Sequence, residues 1–232
     1  MKSVMLRLTG PLQSWGTQGR FSIRDTDSEP SKSGVVGLVG AALGMPRDDQ
    51  ARLAKLRTLA FIVRVDREGS PLRDYHTVGG GTFRGEDHGL WSIEAGHKEI
   101  KTALTQRYYL SDASFLAALG GDDEALVAEI ARALQHPVWP LFLGRRACPP
   151  SEPVFAGLVD GPPDLAIRAA PMLPRDRTHA PERLRIVVEA DADNGRPRQD
   201  EPESFTLYAR RHGLRHVRFD FIDRDSLPEA TP

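Results

Sequence analysis

Several groups of side chains in this 232-residue chain can do chemistry, and they point in different directions. Gly144-Arg145-Arg146 sets two guanidinium groups behind a glycine and ahead of Cys148-Pro149-Pro150. Adjacent residues on an extended chain face opposite ways. One arginine can therefore take a phosphate while the other pairs with an acid of the fold, and the planar fork matches phosphate oxygens better than a lysine ammonium does. Lys32 stands between Ser31 and Ser33 at the start of a glycine-rich apolar run, where free N–H groups already favour an anion. Trp15, Arg20, Phe21 and Arg24 share one polar stretch. Aromatics interleaved with arginines can stack on and neutralise a single strand, although for Trp15 and Phe21 pinning the loop to a core is the plainer reading. Asp74-Tyr75-His76 and His97-Lys98 carry groups that move protons near pH 7 and suit acid–base cleavage of RNA, but no second partner is unambiguous. A structural role is the plainer reading for these.

Other chemistries are disfavoured. His76, His88 and His97 have no compact zinc spacing. Cys148 is the only cysteine, which rules out an internal disulfide or a cysteine-based zinc site. No GxSxG, no GxxxxGK[ST] and no strand-borne GxGxxG occurs. The residues thus predict no metal, no cofactor and no catalytic set.

The elements that must position these groups are legible in part. Ser3 to Thr9 alternates as a half-buried strand, with Arg7 on its less apolar face. Leu12 to Glu29 reads as a loop. SKSGVVGLVGAALGMPRDD (Ser31 to Asp49) reads as a helix with glycines at 34, 37, 40 and 44 close to one stripe, ended by Gly44 and Pro46. Each glycine costs a helix about 1 kcal/mol against alanine. Four of them imply a tightly packed helix, or one that another backbone or a ligand approaches closely. A second helix is expected over Asp48 to Arg57 and a strand over Thr58 to Val65. Residues 69–107 hold few core-grade side chains and several glycines, and predict a hairpin-like excursion between sheet strands. Arg107 to Leu119 reads as a strand, Asp122 as the cap of a helix with Leu126, Ile130 and Leu134 on one face, and Val138 to Leu143 as a last short strand. The order β-α-β-excursion-β-α-β is the ferredoxin-like plan, without the aromatic sequence usual in RNA-recognition domains. Cys148 to Pro153 reads as a boundary, and proline-broken strands after it predict a smaller β-rich lobe.

Composition is that of a soluble globular chain: 40% hydrophobic, 27% charged, net charge −1. No apolar run approaches the ~20 residues of a membrane span, and the N-terminus has no signal-peptide pattern, so a cytoplasmic location without membrane contact is expected. Residues 1–64 carry ten Lys/Arg against five Asp/Glu, so near-neutrality overall does not exclude an anionic partner.

LTGPLQSWG, SKSGVVGLVGAALGMPRDD, LRDYHTV, YLSDASFLAAL and PLFLGRRACPPSEPVFAG together resemble the Cas-five family in its type I-E CRISPR Cascade branch. The matches run in order from residue 6 to about residue 157. The resemblance implies an α+β fold: a ferredoxin-like, modified RNA-recognition domain over residues 1–147, with an extended β-hairpin thumb at about 72–107, and a small β-rich C-terminal lobe over 148–232. It implies a noncatalytic subunit that caps the 5′ handle of the CRISPR RNA, held as a hooked single strand. Its partners would be the Cas-seven-family backbone subunit and the large subunit CasA, with target DNA met only indirectly. In the type I-C branch the relative cuts RNA with a Tyr/Lys/His set, which Tyr75, His76, His97 and Lys98 match by type alone. RNA contact is then expected first from Lys32, Arg145 and Arg146, next from Arg20 and Arg24, and further from Trp15, Ser33, Tyr75, His76 and Arg107, with Phe83 a weaker stacking candidate.

Overall fold

The computed structural model describes residues 1–17, 22–78, 82–83, 86–87, 90–94, 97–101, 103–178, 180–207 and 209–229, with side chains described outside 78–103. The elements are β1 (Lys2–Thr9), β2 (Leu12–Gln13), β3 (Ile23–Arg24), α1 (Lys32–Ala42), α2 (Gln50–Arg57), β4 (Ala60–Arg67) and β5 (Ser70–Val78). Then come β6 (Thr82–Phe83), β7 (Glu86–Asp87), β8 (Leu90–Glu94), β9 (His97–Lys101), β10 (Ala103–Ser111), β11 (Ser114–Gly121), α3 (Glu124–Gln135) and β12 (Phe155–Asp160). The chain finishes with α4 (Pro163–Ala169), α5 (Pro174–Arg177), β13 (Arg183–Ala190), β14 (Arg196–Ser204) and β15 (Arg211–Asp223).

A mixed α+β architecture results, dominated by one seven-stranded sheet of order β12-β1-β11-β4-β13-β15-β14. Every pairing in that sheet is antiparallel. The alternation read in Ser3–Thr9 becomes two buried faces: Val4, Leu6 and Leu8 join the core shared with α1, α2 and α3, while Met5 joins a second cluster with Ile167 of α4. Arg64 is fully buried, as its place opposite the apolar set requires a partner to allow. It is chelated by Asp66, with Nε to Oδ1 at 2.6 Å, and also donates to the carbonyls of Ile167 (2.8 Å) and Ala170 (2.6 Å), which fastens α4 to the sheet.

A second sheet carries the excursion. β5 and β10 run antiparallel from Ser70↔Ser111 to Val78↔Ala103, and β10 pairs with β2 and with β3 on its other side. Two expectations are corrected here. Arg107 to Leu119 is not one strand: the chain breaks at Asp112 (φ 60°), a left-handed turn that aspartate tolerates, so β10 serves the hairpin and β11 the large sheet. Val138 to Leu143 is not a strand, because Pro137 and Pro140 cannot donate to a ladder. That segment instead closes the open end of α1: the Val138 N–H donates to the Ala42 carbonyl (2.9 Å) and the Trp139 N–H to that of Ala41 (3.2 Å). Beyond Cys148 the chain supplies β12 to one edge of the large sheet and β13–β15 to the other.

Helix α1 is capped by Ser31, whose Oγ accepts from the Gly34 N–H at 3.3 Å. Gly34 is needed for packing, since a Cβ there would lie 2.9 Å from the Trp15 ring. Among the described residues no helix is long and apolar enough to cross a membrane.

Candidate nucleic-acid interface

One face of α1, bare at Gly34, Gly37 and Gly40, floors a cleft of about 1080 Å³. Its walls come from the loop after β2, from Arg47 just past the helix, from Trp139 to Arg146, and from Phe205, Arg210 and His212. Among the described residues the lining holds Arg24, Arg47, Arg145, Arg146 and Arg210 against one carboxylate, Asp25.

The two arginines after Gly144 divide their work. Gly144 has φ 92°, and a Cβ there would fall 1.7 Å from the Ser14 carbonyl oxygen, so glycine is required for both conformation and space. Arg145 is half-buried: it donates to the carbonyls of Tyr108 (3.0 Å) and Asp25 (2.9 Å), and its guanidinium sits 4.9 Å from the Tyr109 ring centre. It ties the loop before α1 to β10, using carbonyl oxygens where an acid was expected. Arg146 is exposed and, among the described residues, enters no ion pair.

On the opposite wall, partial burial and the nearby charges of Arg47 and Arg24 push the Arg210 guanidinium below its ordinary pKa. Burial, and then Arg210, also lower His212, so its imidazole is neutral at pH 7. The His212 Nδ1 is buried and makes no hydrogen bond among the described residues.

The remaining expected contacts are distributed differently. Ser33 lines the cleft at the helix start, and Arg24 lines its wall. Trp15 also borders it, but its ring is 1% exposed and its indole N–H donates to Gln13 Oε1 (2.9 Å), so it is a packing residue and no stacking surface. Lys32 does not line the cleft. Its ammonium is buried beside a separate small cavity, 3.0 Å from both Glu189 and Glu201 and 3.1 Å from the Arg57 carbonyl. Tyr75, His76 and Arg107 lie on the hairpin strands. Tyr75 is exposed, His76 Nδ1 is 3.8 Å from Asp74, and Arg107 donates to Thr105 Oγ1 (3.3 Å) in register with Arg24 of β3. Arg20 lies outside the described residues, as do the side chains of Phe83, His88, His97 and Lys98. Among the described residues, no three His, Cys, Asp or Glu side chains gather to hold a metal ion.

Sequence reading missed Arg47, Arg210, His212 and Trp139. The Arg210-Arg211 doublet, like Arg145-Arg146, was a visible signal. Arg47 stood inside the glycine-helix motif, just past the helix stop.

Known proteins are similar to this chain in sequence and fold. The profile of a family described as CRISPR-associated protein (Cas5) matches residues 3–218. The CRISPR system Cascade subunit CasD of Escherichia coli (strain K12) is 39% identical over 165 residues, covering 66% of this chain and 70% of that protein. A solved structure described as a CRISPR RNA-guided surveillance complex contains a chain with TM-score 0.78 and 34% identity, over 97% of this chain and 92% of that one. A crystal structure of a Cas protein aligns with TM-score 0.72 and 36% identity, over 99% and 100% of the two chains. With the profile spanning most of its length, this chain belongs to the CRISPR-associated Cas5 family.

Proposed function

We propose that this protein is a Cascade subunit that holds the 5′ handle of the CRISPR RNA in the arginine cleft and does not cut it. The observation that carries the reading is the charge of the cavity: among the described residues five arginines and one carboxylate line it. A cavity so charged stabilises a polyanion, and it holds that polyanion in one register because the arginines are borne by different, mutually braced segments. Phosphate contacts come from Arg146, Arg47 and Arg210, with Arg24 and Ser33 beside them. Arg145 positions the loop on which Arg146 stands.

The strand order supports a ferredoxin-like reading. β1-α1-β4 and β11-α3-β12 are two βαβ halves whose strands lie in the order β12-β1-β11-β4. In this reading β12 completes the domain, β13–β15 form the added lobe on the β4 edge, and the β5/β10 hairpin is the thumb. Tyr75, His76 and Arg107 on that thumb then face the Cas-seven-family backbone subunit or the guide. The large subunit CasA docks nearby, and target DNA is met through it.

The test is incubation of the full-length protein, alone and in its assembled complex, with repeat RNA in EDTA, followed by a gel. Bound, uncut RNA whose binding is lost when the handle is scrambled is the expected result. Specific cleavage would place the protein with the type I-C-like endoribonucleases and direct attention to Tyr75, His76, His97 and Lys98.

A further inference from the structure

We infer that Trp139 is a base-stacking platform, so that the cleft takes an unpaired nucleobase as well as phosphates; this rests on reading the cleft as the RNA site. Trp139 is 46% exposed at the cleft wall. Its backbone is fixed nonetheless. Its own N–H and that of Val138 are bonded to the last carbonyls of α1, and Val138 lies against Gly44, where a Cβ would come within 2.9 Å of it. A large ring displayed on a rigid backbone loses little entropy when a flat partner covers it.

The surroundings suit a base more than a phosphate. Phe142 and Phe205 are half-buried in the same lining, and the floor beside them is open at Gly37, where an added Cβ would meet only Phe205, at 3.9 Å. Phosphate oxygens have no use for such an apolar surface, whereas every nucleobase has a π-face that stacks on indole. The arginines would hold the backbone while Trp139 holds one splayed base. The cleft would then prefer a single strand to a duplex or to a polyanion lacking bases. Trp15 is buried and Tyr75 lies on the hairpin, which leaves Trp139 as the exposed aromatic ring of the cleft among the described residues.

The test is a cycle between Trp139 variants and handle RNAs that each carry one abasic nucleotide, with affinities measured on the full-length chain and in its assembled complex. Trp139→Ala is expected to weaken binding roughly 5- to 150-fold, and Trp139→Phe to keep most of the affinity. The dependence on salt should not change, because no phosphate contact is lost. At one handle position the abasic RNA should bind Trp139→Ala no worse than the intact RNA does. Equal binding by wild type and Trp139→Ala would overturn the inference while leaving the cleft reading intact, as would losses that add at every abasic position. Loss of complex assembly without RNA in Trp139→Ala would overturn it in favour of a protein contact. Failure of the wild type to bind the handle in either setting would instead remove the cleft reading itself.

Discussion

Two basic groups flank helix α1, and they differ in what accompanies the cations. At its N-terminal end Lys32, Arg57 and Arg215 meet Glu189, Asp200 and Glu201, with Arg215 Nε 2.6 Å from Asp200 and Arg57 Nε 3.3 Å from Glu201. Along the cleft, five arginines meet one carboxylate among the described residues. The first group is closed on itself and fastens β13, β14 and β15 to the helix. In the second, Arg145 is engaged by carbonyl oxygens, whereas Arg146 is exposed and enters no ion pair among the described residues. A buried cation with its acids in place is a structural device, and breaking it exposes the cost of the charge left behind. A gathered set of arginines, in which burial and two neighbouring guanidinium groups lower the pKa of Arg210, is suited to an anion.

The largest effect should come from the closed group. Lys32→Met leaves Glu201 and Glu189 without their ammonium and should cost about 3 kcal/mol of stability, read as a lower denaturant midpoint at unchanged slope. Among molecules that remain folded, its RNA binding should keep the wild-type dependence on salt. A stable Lys32→Met with a weakened salt dependence would reverse the assignment of the two groups.

The open group should behave oppositely. Arg146→Ala and Arg210→Ala should each change stability by less than about 0.5 kcal/mol. Each should also reduce the slope of log affinity against log salt by roughly 0.7, the share of one single-strand phosphate contact. Salt titration of RNA binding by each variant checks this.

A milder effect is expected at Glu29, a fully buried carboxylate paired with Arg185 at 2.7 Å and with Arg198. Burial alone would raise its pKa, but hydrogen bonds from Ser28, Arg185 and Arg198 hold it below the usual 4.5. Its contribution is therefore present above pH 4.5 and lost as pH falls through the lower folded value. Stability measured between pH 6 and pH 3 should decline less steeply below pH 4.5 in Glu29→Gln than in wild type.

A last pair of variants sharpens the view of the helix between the two groups. Gly37→Ala meets no close neighbour and should add up to about 1 kcal/mol of stability. Gly34→Ala drives a methyl against Trp15 at 2.9 Å and should lower it. Thermal unfolding of the pair distinguishes a glycine kept for packing from one kept for the cleft.

What could be read in the sequence follows from range. The Ser31 cap, the glycine helix and the amphipathic α3 rest on residues within a turn of one another, and the sequence displays them directly. That one arginine after Gly144 would be engaged within the fold was visible in outline, and Arg145 is the one. The fate of Lys32 was not visible. Its partners come from β13 and β14, 157 and 169 positions away in Glu189 and Glu201, and no local pattern announces which acids a fold will deliver. Arg210 reaches the cleft for the same long-range reason, whereas Arg47 is placed locally, just past the helix that floors it. The edge strand was misplaced because Val138 to Leu143 has the hydrophobicity of a strand while its prolines prevent pairing.

The most direct test is the salt dependence of 5′-handle binding by wild type, Lys32→Met and the double variant Arg47→Ala/Arg210→Ala. Lines for wild type and Lys32→Met should run parallel, and the double variant should be shallower by about 1.4 for two lost phosphate contacts. A double variant parallel to wild type, with Lys32→Met the shallow one, would contradict the division between a closed structural cluster and an open RNA cleft.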